Sequence, residues 1–392
     1  MEINEKHDKP NSHKPLRGDT LSSCSDLPID LLNLVFKRLS FPNFQRAKSV
    51  CRFWHSASRQ SVPKHSQFFW LVLFPKENNN NNNSSSCTLF NPEEADKLYR
   101  TQDLGLEFAK SFCMATYGSW FLMRDPRQNL YIVNIFTHER INLPPVESQL
   151  GRIKIKRTVD DGFRITAHGV GYKFIRIIIQ SPVLWIDEKT KDYIVLWKVS
   201  ESCIVYSRKG ETSWKQIHVT WDCCSMFYKD HKLYLLGFSS YFKIFDFSGA
   251  IPQQTSSGVI GEGFHLTHLE RGVVATKLVV TVTGQILKIE KIRMNSKAWS
   301  FRVFKMVSSG LFKKQEVVSS MGDETLLFDQ GITVLANDTD VFIRDSIYFS
   351  LNETDIFVFH LKTQKTEPLH KFDRSSAQFS GARWFLPSFT QN

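Results

Sequence analysis

The chain of 392 residues is 42% apolar and carries a formal net charge of +11, which allows a sizeable core arranged as one large domain plus a small one. Its aromatics (32 Phe, 10 Tyr, 9 Trp) suit strands better than helices, and its seven cysteines (Cys24, Cys51, Cys87, Cys113, Cys203, Cys223, Cys224) are scattered, without CxxC pairs or a His at zinc spacing. That pattern points to reduced thiols and argues against a disulfide scaffold, and no run reaches the roughly 20 apolar residues needed to span a bilayer, residues 272–284 being too short and broken by Lys277.

Residues 1–24 mix charges of both signs with Asn, Ser and Pro and lack the apolar stretch of a secretory signal, so they read as a disordered tail. A soluble protein of the nucleus and/or cytoplasm is expected, and the sequons at Asn337 and Asn352 then have no glycosylation route. Residues 25–65 change character. Pro28 is tolerated in a first helical turn, where its missing N–H costs nothing, with Ser25 and Asp26 ahead of it as capping candidates. Leu31, Leu32, Val35, Phe36 and Leu39 recur at i, i+1, i+4, i+5 and i+8, a wide stripe on a 3.6-residue period, and Lys37 and Arg38 fall where cations suit the helix dipole. Phe41-Pro42-Asn43 is expected to break the run, because the residue before a proline is pushed out of the α region. A second helical stretch then places Phe44, Ala47, Val50, Cys51 and Trp54 on one side and Gln45, Arg46, Lys48 and Ser49 on the other, giving two or three short helices in all.

A unit of about 40 residues seldom stabilises itself without disulfides, metals or another subunit. Its stripe serves either the rest of this chain, the commoner case on periodicity alone, or a partner. Burying five large apolar side chains yields on the order of 10 kcal/mol before ordering costs, enough to hold a protein–protein contact. Leu27-Pro28, Leu31-Leu32, Phe36, Leu39, Val50-Cys51 and Trp54, in that order, resemble the F-box, the N-terminal module that docks a substrate receptor onto the Skp-type adaptor of a cullin–RING ubiquitin ligase. The resemblance implies an adaptor-binding set in which Leu27, Pro28, Leu31, Leu32, Val35, Phe36 and Leu39 make adaptor-facing or core contacts and Val50, Cys51 and Trp54 complete the packing. His55 stands where the family often has a basic residue, a mild departure.

After residue 65, the apolar run at residues 68–74 reads as a buried strand and residues 87–90 as its partner. Between them, the asparagines at 78–83 and the serines at 84–86 read as an expanded polar loop with no function of its own. Asn91-Pro92-Glu93-Glu94 is expected to open a short helix reaching Leu98. From about Met114 a strand–turn–strand unit recurs: Leu130, Tyr131, Ile132 and Val133 lead to Ile141-Asn142-Leu143-Pro144, Lys232-Leu233-Tyr234-Leu235 leads to Phe242-Lys243-Ile244-Phe245, and Ile347-Tyr348-Phe349 leads to Ile356-Phe357-Val358-Phe359. Trp214 and Trp299 sit at comparable turns between further strands. Repetition at about 40 to 50 residues is what the blades of a propeller produce, although the irregular period leaves the blade number open.

Several stretches resemble the C-terminal domain of plant F-box proteins of the KIB type or F-box/kelch-like kind, long catalogued as a domain of unknown function. They include Tyr117-Gly118-Ser119-Trp120, Asn134-Ile135-Phe136-Thr137 running into Leu143-Pro144-Pro145, Asp192-Tyr193-Ile194-Val195, Gly322-Asp323-Glu324, Ser346-Ile347-Tyr348-Phe349 and Trp384-Phe385-Leu386-Pro387. The resemblance spans most of residues 66–392.

The positive charge lies after the tail, which is itself near neutral. Arg152, Lys154 and Lys156 alternate, which places them on one strand face with Arg157 beside them. Such a basic patch suits nucleic acid or an acidic partner, or else lysines blunt an exposed strand edge against aggregation. Catalytic motifs are not found. His138-Glu139 starts like HExxH, but position 142 is Asn and the stretch reads as a turn, and Gly258, Gly261 and Gly263 lack the spacing and following helix of a dinucleotide site. Asp160-Asp161 and Cys223-Cys224 are adjacent in sequence, so in a strand each pair points to opposite faces.

These observations and resemblances lead to an α+β multidomain chain, a small N-terminal three-helix F-box followed by a large all-β propeller-like domain. Expected is a non-catalytic substrate-recognition subunit of an SCF-type (Skp–cullin–F-box) E3 ubiquitin ligase, without cofactor or metal, which binds the Skp-type adaptor and through it cullin, and captures an unknown target protein away from any membrane. The alternative is a nucleic-acid-binding or chromatin-associated protein that uses the basic surface.

Overall fold

The computed structural model describes residues 27–39, 41–59, 70–75, 85–91, 97–160, 162–167, 169–200, 202–219, 223–237, 241–259, 272–293, 299–309, 312–329, 331–336, 342–351, 355–371 and 379–387. The chain divides into two units, one ending at Ser66 and one running from Gln67 to Ser388. The tail at 1–24, the caps Ser25 and Asp26, and the asparagine tract at 78–83 lie outside the described residues.

The first unit holds three short helices, α1 (Ile29–Arg38), α2 (Phe41–Lys48) and α3 (Arg52–Ser58). Pro28 is the N-cap of α1 in an extended conformation, and its carbonyl accepts the N–H of Leu32 at 3.0 Å. Asp30 lies in the first turn and Lys37 and Arg38 in the last, each matched to the helix dipole. Phe41-Pro42-Asn43 does not act as the break. The chain leaves the α region at Leu39, the C-cap, and Phe41 and Pro42 open α2, because a proline in a first turn lacks only an N–H that would have had no partner there. Cys51, with φ of −161°, ends that run as the N-cap of α3. Leu32, Phe36, Phe44, Ala47 and Ala57 form the core of the unit, with Leu27, Leu39, Phe53 and Trp54 packed around it.

The second unit is built of antiparallel sheets taken largely in chain order. β1 (Trp70–Pro75), β2 (Thr88–Phe90) and β3 (Leu98–Arg100) are neighbours, followed by the single-turn helix α4 (Leu106–Ala109). Leu98 thus ends in a strand, where Phe90 is its partner, and the expected helix over 91–98 is not supported at that end, residues 92–96 being outside the description. Ser85 is likewise no part of a free loop: it is buried, bonds Asp103 through its hydroxyl and accepts the N–H of Leu104 at 3.1 Å.

β4 (Phe112–Tyr117), β5 (Trp120–Arg124), β6 (Leu130–Asn134) and β7 (Arg140–Asn142) make the next sheet. Then come β8 (Gln149–Leu150), β9 (Lys154–Arg157), β10 (Phe163–Ala167) and β11 (Val170–Phe174), of which the last three form a separate sheet with β10 in the centre. β12 (Gln180–Ile186), β13 (Tyr193–Ser200), β14 (Cys203–Arg208) and β15 (Trp214–His218) follow, with β8 added in parallel to β15. β16 (Cys223–Lys229), β17 (Lys232–Gly237), β18 (Tyr241–Asp246) and β19 (Gln253–Val259) repeat the pattern. β20 (Val273–Val280), β21 (Ile286–Arg293), β22 (Trp299–Ser309) and β23 (Phe312–Val317) join β24 (Glu324–Leu327), β25 (Ile332–Leu335), β26 (Ser346–Ser350), β27 (Asp355–His360) and β28 (Lys365–Lys371) in one long sheet, through parallel bridges between β20 and β25 and between β24 and β26. The last strand, β29 (Phe379–Phe385), returns to pair with β1.

This arrangement is a β-propeller, with first strands of successive sheets as neighbours and a core between each pair of sheets. β4 lies beside β12, β12 beside β16 and β16 beside β20. β13 shows the consequence in one strand: Val195 and Trp197 enter the core shared with β4–β7, while Ile194 and Leu196 enter the core shared with β16–β18. A strand buried on both faces reads as a continuous apolar run.

Short polar side chains hold the turns. Asn134 accepts the N–H groups of Phe136 and Thr137 at 2.9 and 3.1 Å, so Ile135, Phe136 and Thr137 are the turn between β6 and β7 and His138-Glu139 closes it. Asp187 does the same for Lys189 and Thr190 at 2.9 and 2.7 Å, and those backbone donors, Thr190 first, hold its carboxyl below the usual range.

Candidate functional site

α1 has two apolar flanks. Leu32 and Phe36, four apart, are 0% exposed and face inward, where Phe36 meets Phe44 edge-on at 5.4 Å and Trp54 at 5.7 Å between ring centroids. Such aromatic contacts add about 0.5–1.5 kcal/mol each to the burial itself. Leu31, Leu34 and Val35, spaced i, i+3 and i+4, lie together on another flank and remain 50%, 52% and 37% exposed. Ile29 and Val50 are exposed as well, and Pro28 with them.

The residues implied by the F-box resemblance therefore divide. Pro28, Leu31, Val35 and Val50 present surface, whereas Leu32 and Phe36 are used up in the core of the unit and have none left to offer a partner. Leu27, Leu39, Cys51 and Trp54 are half-buried against that core or at its edge. Leu34 belongs with the exposed group, although the sequence stripe omitted it. Its place three residues after Leu31 was the available signal.

In the β domain, Lys154 and Lys156 are exposed on either side of buried Ile155 and share one face of β9, an outer strand of its sheet, while Arg152 is exposed in the bend that precedes the strand. The face extends further than the sequence indicated. Arg164 on β10 lies opposite Lys156 on one side and Lys173 on the other, and Lys173 is ion-paired with Asp160 at 2.7 Å. Arg157 leaves the group. It shares the opposite face with Phe163, stacks over that ring at 4.7 Å, and is tied to Glu147 at 2.7 Å and to the carbonyl of Arg127 at 2.9 Å.

The enclosed ionisable groups are engaged in structural contacts. Lys291 is buried, its Nζ donates to the carbonyl of Ser350 at 3.2 Å, and the rings of Trp299 and Phe349 lie 4.7 Å away; burial lowers its pKa. Glu290 takes Lys288 at 2.9 Å and Arg302 at 2.6 Å. Cys223 and Cys224 point to opposite faces of β16, into two different cores. Among the described residues no group of three or more His, Cys, Asp or Glu side chains could hold a metal, the cysteines are free, and no helix is long and apolar enough to cross a membrane.

A three-helix unit with an apolar outer flank, followed by a β-propeller, defines the class: an F-box protein with a propeller as its second domain. The F-box domain model matches residues 24–66 and the KIB1-4 beta-propeller model matches residues 57–360. The chain belongs to the plant family of F-box proteins that carry a KIB1-4 β-propeller. It is 56% identical over 404 residues to the putative F-box protein At4g22180 of Arabidopsis thaliana, a match covering 98% of each chain. To the probable F-box protein At4g22060 of the same plant it is 44% identical over 394 residues, covering 94% of this chain and 97% of the other. An F-box with a β-propeller carries, in general terms, a substrate-recognition role, and the F-box implies a Skp-type adaptor.

Proposed function

We propose that this chain is the substrate-recognition subunit of an SCF-type E3 ubiquitin ligase. The helical unit docks on a Skp-type adaptor, which links it to cullin, and the β-propeller captures a target protein. The chain supplies no catalytic group, and ubiquitin transfer is performed by other subunits. One observation carries the reading: α1 exposes Leu31, Leu34 and Val35 although its other flank already supplies the core of the unit. Partly exposed leucines of this kind each gain roughly 1 kcal/mol or more when a partner covers them.

The test is co-purification with a Skp-type adaptor. Leu31→Asp with Leu34→Asp is expected to abolish capture and leave the melting temperature nearly unchanged, since both side chains are half exposed. Phe36→Ala is the contrasting control, expected to lose capture together with about 3–5 kcal/mol of stability because it empties the core. Full adaptor capture by the double variant would refute the docking assignment.

Reduced thiols support a location in the nucleus and/or cytoplasm, and a fluorescent fusion found in the secretory pathway would contradict it. The row Lys156, Arg164 and Lys173 supports a second reading, nucleic-acid binding through the outer face of the β9–β11 sheet. Phosphate contacts would make affinity for random DNA fall steeply with added salt, and a flat salt dependence would dismiss that reading.

A further inference from the structure

Where the β4–β7 sheet meets the β9–β11 sheet there is a cleft of about 550 Å³ whose lining includes Arg127, Gln128, Asn129, Arg157, Ile175 and Arg176. Three arginines line one small space, of which Arg157 is already paired with Glu147. A fourth arginine, Arg124, stands near enough to feel Arg176: its pKa is lowered, first by burial and then by that like charge. The carboxylates bonded to this region are already engaged. Asp125 takes the N–H of Asn129 at 2.7 Å on one oxygen and the side-chain amide of Asn129 at 2.8 Å on the other, and Glu147 takes Arg157. Like charges gathered in this way repel unless an anion joins them.

The cleft is also held in shape. Asp125 clamps the β5–β6 turn, which places Gln128 at φ 68°, a left-handed conformation that non-glycine residues seldom adopt. Gln128 is 8% exposed, and its Oε1 has no hydrogen-bond partner. Its Nε2 donates to the carbonyl of Pro126 at 3.3 Å, and a half-turn of the last bond would exchange that bond for one from Nε2 to an anion in the cleft. Ile175 is 88% exposed at the rim, an apolar neighbour beside the cations.

We propose that this cleft is the subsite for an anionic side chain, a phosphorylated serine or threonine or a carboxylate, on an extended segment of the captured protein, with the next apolar side chain of that segment laid on Ile175. Guanidinium forks bind phosphate and carboxylate through paired, charge-assisted hydrogen bonds. A nucleic-acid strand would call for aromatic platforms, and the cleft is lined by guanidinium, amide and aliphatic groups instead. The inference rests on the receptor reading only in taking the occupant to be a protein.

The full-length chain is titrated with inorganic phosphate and with three degenerate peptide pools that differ only in a central phosphoserine, glutamate or serine. The phosphoserine or glutamate pool is expected to bind at least tenfold more tightly than the serine pool, with phosphate competing. Tighter binding of phosphoserine than of glutamate assigns a phosphorylated segment, and equal binding of the two assigns an acidic one. The Arg127→Ala, Arg176→Ala double variant, changed at two exposed positions, is expected to lose the preference tenfold or more while melting temperature and adaptor capture stay unchanged. Equal binding of all three pools, or a preference that the double variant keeps, overturns the proposal, as does tighter binding of a 20-mer of deoxythymidine that the double variant abolishes. An unaltered chain that shows the peptide preference but captures no adaptor would instead refute the receptor reading and leave the cleft as stated.

Discussion

At the scale of single residues, burial decides what each side chain can do. Leu31 and Leu32 are neighbours of identical chemistry, yet one is half exposed and the other fully enclosed, because adjacent helical positions point about 100° apart. Enclosure also controls the thiols. Cys113 and Cys203 are buried, and burial pushes each pKa up to about 12. In the unfolded chain such thiols ionise near pH 8.5. Below that value both states hold the proton and stability is unaffected. Above it the unfolded chain sheds protons that the folded chain keeps, so stability falls as pH rises toward about 12, by up to roughly 1.4 kcal/mol per pH unit and thiol. The urea midpoint is therefore expected to drop between about pH 8.5 and 10, before the tyrosines of the unfolded chain begin to contribute. Replacing both cysteines with alanine lowers the midpoint at neutral pH but flattens that slope. An unchanged slope in the double variant would show that the thiols are not the groups responsible.

At the scale of elements, the sequence pattern identified types well and boundaries less well. A 3.6-residue period located α1, and runs of Val, Ile, Leu and aromatic residues located β1, β6, β17, β18, β26 and β27. Periodicity does not say which flank of a wide stripe meets the core, so the stripe omits exposed Leu34 and does not separate exposed Leu31 from enclosed Phe36. Pro42 illustrates a different failure: the rule that a proline disfavours helix in the residue before it competed with the tolerance of a first turn for proline, and the tolerance won. Alternation is legible in the sequence for Lys154 and Lys156, which flank buried Ile155 on β9. The partners Arg164 and Lys173 could be read only from register, which depends on which strands pair. That register gives a prediction. Like charges directly opposite in a sheet are destabilising, on the order of 0.2–1 kcal/mol per pair, and Arg164 has one on each side. Arg164→Thr, which also supplies a good strand former, is expected to raise the urea midpoint at low salt, with the gain shrinking as salt screens the charges. A loss of stability at low salt would mean that Arg164 contributes by packing more than it costs by charge.

At the scale of the whole β domain, closure is the step that no local pattern encodes. The Arg-lined cleft is legible only once the β5–β6 turn, residues 175 and 176 and the β9 strand have been brought together by the packing of two separate sheets. The same holds for β29, which pairs with β1 across more than 300 intervening residues, matching Trp70 with Phe385, Leu71 with Trp384 and Leu73 with Ala382. Trp384 enters one core with Leu71, Leu73, Phe90 and Tyr348, and its carbonyl accepts the hydroxyl of Thr116 on β4 at 2.8 Å, so the last strand binds the sheets on either side of the join. Without it, β1 would present an unpaired edge and the neighbouring cores would open to water. A chain ending at residue 378 is therefore expected to bind a hydrophobic dye, to aggregate, and to lose the cooperative unfolding transition of the full chain. Trp384→Ala, which keeps the backbone pairing and removes the ring, is expected to cost about 3–5 kcal/mol with the transition still cooperative. The difference between the two variants measures what strand pairing adds to side-chain burial, and a truncated chain that melted cooperatively at the midpoint of the full chain would show that the domain is closed by contacts other than β29.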